Sequence, residues 1–127
     1  MDDSKDTAGA FEAFVRLLHA GRFEQAISRF YDVNIVQVEN GGQPVRGREA
    51  LLAAERAAAK RVLEARIEVR DAVFDARRGL AWGEQQIRFT TLAGERKFLC
   101  EAFRQRWQDG VIVEQTFYYE AIETLSE

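Results

Sequence analysis

The 127 residues predict an α+β domain in which helices come first and strands follow. Three observations carry this. Up to about Phe30 the apolar residues recur at helical spacing, and an Ala-rich segment after Gly47 favours a third helix. From Arg66 onward they fall into four extended runs instead. Short turn signals separate those runs, so consecutive strands pair antiparallel, and the helices pack on one face of a bent sheet.

The first helix carries Phe11, Phe14, Val15 and Leu18 as one stripe. Residues Met1 to Asp6 read as a flexible lead, with Ser4 and Thr7 as candidate caps. Gly21 suits the left-handed position after a helix. A short second helix runs from Arg22 to about Phe30 and buries Phe23, Ala26, Ile27 and Phe30. From Val33 to Glu39 the run is rich in Val and Ile, as in a strand. Alternation puts Ile35, Gln37 and Glu39 on one face and Val36 and Val38 on the other. Asn40, Gly41 and Gly42 turn the chain, Pro44 keeps it extended, and a third helix is expected from Arg48 to about Leu63. Its alanines let a helix lie close to a sheet. Strands are then expected over Arg66–Asp75, Leu80–Thr91, Arg96–Trp107 and Val111–Ile122. Arg78-Gly79, Ala93-Gly94 and Asp109-Gly110 mark the turns, the last being the strongest hairpin signal.

Composition bounds the function. The length favours a single domain over residues 1–127. A net charge of −3 gives no case for nucleic-acid binding, and Arg104 and Arg106 beside Trp107 read as a solvated sheet edge. No apolar run approaches the roughly 20 residues of a membrane span. Cys100 is the only cysteine, so no internal disulfide forms and a reduced, cytoplasmic setting is expected. His19 is the only histidine, so neither residue type supplies a metal cluster; no metal or cofactor is expected.

The stretch HAGRFEQAISRFYDVNIVQVENGGQPVRGREAL resembles the first half of SnoaL-like proteins, within the nuclear transport factor 2-like superfamily. The shared features are AG before a short aromatic-bearing helix, then FYD, a strand, and a G-R-E-A-L helix start. The end, WQDGVIVEQTFYYE, resembles that family's aromatic-x-D-G-x-I strand pair finishing in Tyr-Tyr-acid. The resemblance spans Phe11 to Ile122. It implies a cone, in which a curved antiparallel or mixed sheet wraps over the helices and leaves a pocket at its open end. Members include ketosteroid isomerases, polyketide cyclases, epoxide hydrolases, dehydratases and modules without catalysis, so the fold alone does not settle function.

Glu39 falls where similar isomerases place their general base. A carboxylate there moves a proton beside a carbonyl, and burial would raise it from about 4.3 toward neutrality. The alternative puts Gln37 and Glu39 on a solvated strand face. Phe14 stands where those isomerases carry a Tyr donor, and Phe103 where they carry a protonated acid. Phe donates no hydrogen bond, which argues against steroid isomerisation by that route. The Arg-and-acid pattern of the epoxide hydrolases is not evident. Parity groups Trp82, Glu84, Gln86 and Arg88 on one strand face, and Leu99, Glu101, Phe103 and Gln105 on one face of the next. A bulged turn at Gly110 would continue that concave face through Gln115, Phe117 and Tyr119. The expected ligand site is thus Phe14, Gln37, Trp82, Gln86, Arg88, Glu101, Phe103, Phe117 and Tyr119 around a small, partly apolar organic molecule. The same aromatics would serve equally as core, with Glu84, Arg88 and Glu101 in cross-strand ion pairs. The opposite face, with Phe98, Cys100, Ala102, Ile112, Thr116 and Tyr118, is apolar enough to predict a homodimer. Acid–base catalysis by Glu39 and a non-catalytic binding or dimerising module are the competing readings.

Overall fold

A computed structural model describes residues 3–126, with side chains described from Thr7 onward. Three helices precede most of the sheet: α1 Asp3–His19, α2 Phe23–Phe30 and α3 Arg48–Ala59. The strands are β1 Tyr31–Glu39, β2 Val45–Arg46, β3 Val62–Asp75, β4 Leu80–Thr91, β5 Arg96–Gln108, β6 Val111–Tyr118 and β7 Glu123–Thr124. Part of the flexible lead expected over Met1 to Asp6 lies outside the described residues. From Asp3 the backbone is helical, so Ser4 and Thr7 lie inside α1 rather than at its start. The third helix ends at Ala59, earlier than expected, because Val62 and its successors pair with β4. The last long strand stops at Tyr118 instead of Ile122.

The seven strands form one mixed sheet in the order β2-β1-β6-β5-β4-β3, with β7 on β5. β3, β4, β5 and β6 are consecutive antiparallel neighbours, whereas β1 pairs parallel with β6. Two irregularities bend this sheet. In β3 the register slips between Arg70 and Val73, and Asp71 takes a φ of 51°. Ala72 there presses against Gly83 of β4 so closely that a Cβ on Gly83 would lie 2.8 Å from the Ala72 Cα. Only glycine fits that approach, and the bulge increases the local twist. In β6 the extra residue is Val113: Trp107 pairs with Ile112, but Arg106 pairs with Glu114. The preceding Asp109-Gly110 turn, with φ of 51° and 79°, has the two left-handed residues of a tight hairpin.

The bulge corrects one expectation. Ile112 was placed on the convex face, but the extra residue brings it onto the same face as Gln115, where it is completely buried. The core beneath the sheet is aromatic. Phe11, Phe14, Phe30 and Phe74 surround Trp107 at centroid distances of 5.8 to 6.3 Å, mostly edge to face. Phe11, Phe14, Leu18, Ile27, Phe30 and Leu51 are buried as the spacing predicts, while Phe23 and Val62 are half-buried. Among the described residues no helix is long and apolar enough to cross a membrane.

Candidate active site

Between the helices and the concave face lies a cavity of about 240 Å³. Phe14, Leu18, Phe23, Ile27, Leu51, Ile67, Ile87 and Phe117 supply most of its apolar wall. Its polar lining is Tyr31, Gln37, Glu39, Glu55, Gln85, Glu101 and Gln115. Three carboxyl groups thus share one cavity whose lining includes no Lys, Arg or His.

Register explains which side chains reach it. Phe103 pairs with Gly83, Glu101 with Gln85 and Leu99 with Ile87, so the odd-numbered residues of β4 face the helices. Trp82, Glu84, Gln86 and Arg88 lie on the other face, which corrects the expected pocket wall. Trp82 is largely exposed opposite Arg104. Arg88 lies over the Phe98 ring at 4.9 Å, and it and Gln86 line a separate surface depression. Phe103 is on the concave face but sits in the core and does not line the cavity. Tyr119 lies beyond β6, where its N–H donates to Asn40 Oδ1 at 2.8 Å. Phe14, Gln37, Glu39, Glu101 and Phe117 do meet around the cavity.

A chain of buried amides fixes the polar floor. Trp107 Nε1 donates to Gln105 Oε1 at 3.0 Å, and Gln105 Nε2 donates to Gln115 Oε1 at 2.6 Å. Gln115 Nε2 donates in turn to the Tyr31 hydroxyl and to Gln37 Oε1, both at 2.9 Å. Every direction in this chain is set by the indole, which can only donate. It ends on Tyr31 as an acceptor, so the phenol hydrogen has no partner among the described residues. Burial, partly offset by the Gln115 bond, pushes the Tyr31 phenol up to about 12, so it stays a neutral donor.

Glu101 is only 4% exposed, and Gln85 Nε2 donates to its Oε1 at 2.8 Å. Burial raises its pKa, the Gln85 bond opposes this, and the charge of Glu39 adds to the rise. A buried carboxyl with no cation beside it is driven toward the neutral acid, which can donate. No buried side-chain oxygen or nitrogen among the described residues lacks a partner. The second Glu101 oxygen has no hydrogen-bond partner among the described residues, so it is not one of these buried atoms, and the residue lines the cavity. Glu55 is also raised, first by burial and then by Glu24, whose carboxylate is held by Arg56 at 2.7 Å. Glu39 sits at the rim and is exposed. Its strand end is tied down, since Asn40 N–H donates to the Phe117 carbonyl at 2.8 Å and Gly42 N–H to the Glu39 carbonyl at 2.9 Å.

Tyr31, Glu55 and Gln85 were missed in the sequence. For Gln85 the signal existed: a turn centred near Ala93 pairs odd residues with odd ones, so Glu101 on the concave face requires Gln85 there. Tyr31 was hidden because it closes the second helix. His19 is outside this cavity, and its Nε2 accepts the Val69 N–H at 2.9 Å, tying α1 to β3. Cys100 is exposed, and among the described residues no group of His, Cys, Asp and Glu could hold a metal ion.

A helix-backed, bent mixed sheet enclosing one partly polar cavity defines a nuclear transport factor 2-like protein. Residues 11–115 match the SnoaL-like domain, and the chain belongs to that family. Solved structures agree in fold. An LEH-like epoxide hydrolase of Mycobacterium tuberculosis superposes with a TM-score of 0.73 at 16% identity, covering 91% of this chain and 84% of that one. A candidate polyketide cyclase from Xanthomonas campestris gives 0.73 at 17% identity and 93% of each chain. A protein of unknown function from Exiguobacterium gives 0.72 at 19% identity, with 87% and 98% covered. A search of curated protein sequences gives no significant match.

Proposed function

We propose that this protein is an acid–base enzyme of the isomerase, cyclase or dehydratase type, acting without a cofactor on a neutral, partly apolar organic molecule. The observation that carries this reading is the convergence of the Tyr31 phenol, the buried Glu101 carboxyl and the Glu39 rim carboxylate on one cavity. Tyr31 and neutral Glu101 donate to a substrate oxygen, and Glu39 removes a proton beside it. Both donors are more useful to a developing oxyanion than to a ground-state carbonyl, and fixed donors of this kind are often the largest catalytic effect. They occupy a role that Phe14 and Phe103 cannot fill.

The reaction requires a protonated Glu101, so activity should fall as pH rises through its elevated pKa. The test is α-proton exchange of a ketone in deuterated water, followed by NMR. Loss of the base in Glu39→Gln should slow exchange by about 10²- to 10⁴-fold. Loss of one donor in Tyr31→Phe should slow it by about 10²- to 10³-fold. The exposure of Glu39 favours a second reading, a binding module without chemistry. That reading predicts saturable ketone binding with no exchange above the buffer rate. We also propose that two copies meet through the convex face, where Trp82 and Tyr118 are largely exposed beside Phe98, Cys100 and Ala102.

A further inference from the structure

Next to the cavity lies an open groove of about 390 Å³, between the C-terminal end of α3 and strands β3 and β4. The two share Phe23, Glu55, Ile67 and Ile87 as walls, so they adjoin. The groove exists because Ala58 and Ala65 are small; Val62 and Phe89 add to its apolar lining, and Arg61 and Thr91 also line it, away from the cavity. The cavity alone, at about 240 Å³, is smaller than the roughly 300 to 1,000 Å³ of most small-molecule sites; with the groove the space falls within that range.

We propose that cavity and groove form one two-armed site for an elongated amphiphile, with an uncharged oxygen at one end and a hydrocarbon chain at the other. The oxygen sits on Tyr31 and Glu101, and the chain leaves past Glu55 along the groove. The head is neutral because three carboxyls line the cavity and no basic residue does. An anionic head would be desolvated with no cation in the cavity lining to compensate it, in a space that also holds the Glu39 carboxylate. This rests on the small-molecule reading of the cavity, from which it adds a direction and a head-group charge.

The experiment titrates the full chain, ¹⁵N-labelled, with 2-butanone, 2-octanone, 2-decanone and octanoate. Affinity should rise about fourfold per methylene until the groove is filled. 2-Octanone should perturb the amides of Ala58 and Ala65 as well as those of Gln85 and Glu101, and octanoate should bind at least tenfold more weakly. Ala58→Phe, at an exposed helix position, should cut the ratio of 2-decanone to 2-butanone affinity at least tenfold; Ala65→Phe, from the opposite wall, should do the same. Binding of ketones at Gln85 and Glu101 with no dependence on length, or equal binding of octanoate, overturns the two-armed site and leaves the cavity reading intact. If no ketone perturbs Gln85 or Glu101, both readings fall.

Discussion

At the residue scale Glu101 matters most, a carboxyl whose pKa is raised by burial with no cation beside it. It was legible as a concave-face residue from strand alternation. The direction of its pKa shift was not, because that depends on what lies across from it. The sequence offered Arg88 as a possible counter-charge, and register removes it to the other face. Glu39 was singled out by the resemblance to isomerases that carry a base at the end of this strand, and the structure places it at the cavity rim. A raised carboxyl pKa has a definite consequence for stability. Above the ordinary glutamate value of about 4.3 the unfolded chain has released its proton while the folded chain still holds it. Stability therefore falls as pH rises through this window and levels off once the folded carboxyl ionises. Glu101→Gln keeps the acceptor for Gln85 and removes the titration. In urea unfolding at pH 5 and pH 8, the variant should lose less stability between the two pH values than the parent. Some decline should persist, because Glu55 is raised as well.

At the element scale most of the architecture was written in the chain. Helical stripes, the Val/Ile run and Asp109-Gly110 marked elements correctly because each is a local signal. The errors lie where tertiary pairing overrides local preference. The Ala-rich helix stops at Ala59 because the next residues gain partners on β4. Ile112 changes face because Val113 is extra. A parity reading cannot see a one-residue bulge, and a single slip exchanges the two faces of a strand. Parity alone grouped Trp82 with the pocket wall, yet it is Gly83 that faces inward, and the Ala72–Gly83 contact allows only glycine there. Gly83→Ala should force β3 and β4 apart at that point. We expect a loss of about 1 to 3 kcal/mol, read as a lower urea midpoint with an unchanged slope.

At the scale of the whole molecule, the helices cover one face of the sheet and leave the other bare. Trp82 and Tyr118 are 43% and 56% exposed on that bare face. Burying it against a second copy would remove an apolar patch from water, and a two-fold pairing places the same residues opposite one another. Sedimentation at micromolar concentration should give twice the monomer mass, and a Trp82→Asp, Tyr118→Asp double variant should sediment as a monomer. A parent chain that sediments as a monomer would contradict the dimer. The cavity lies between the helices and the concave face, so the binding and exchange tests stand apart from this one.

In the proposed site a neutral carboxylic acid faces a neutral ligand oxygen. The most direct measurement is the titration of the Glu101 side-chain carboxyl carbon by NMR, in the free protein and with a saturating ketone. The account predicts a midpoint above about 4.3 in the free protein, since burial without a cation disfavours the anion. It predicts a further rise with the ketone bound, because the protonated form donates to the ketone and the ionised form cannot. A Glu101 midpoint at or below about 4.3, or one that the bound ketone lowers, would contradict it.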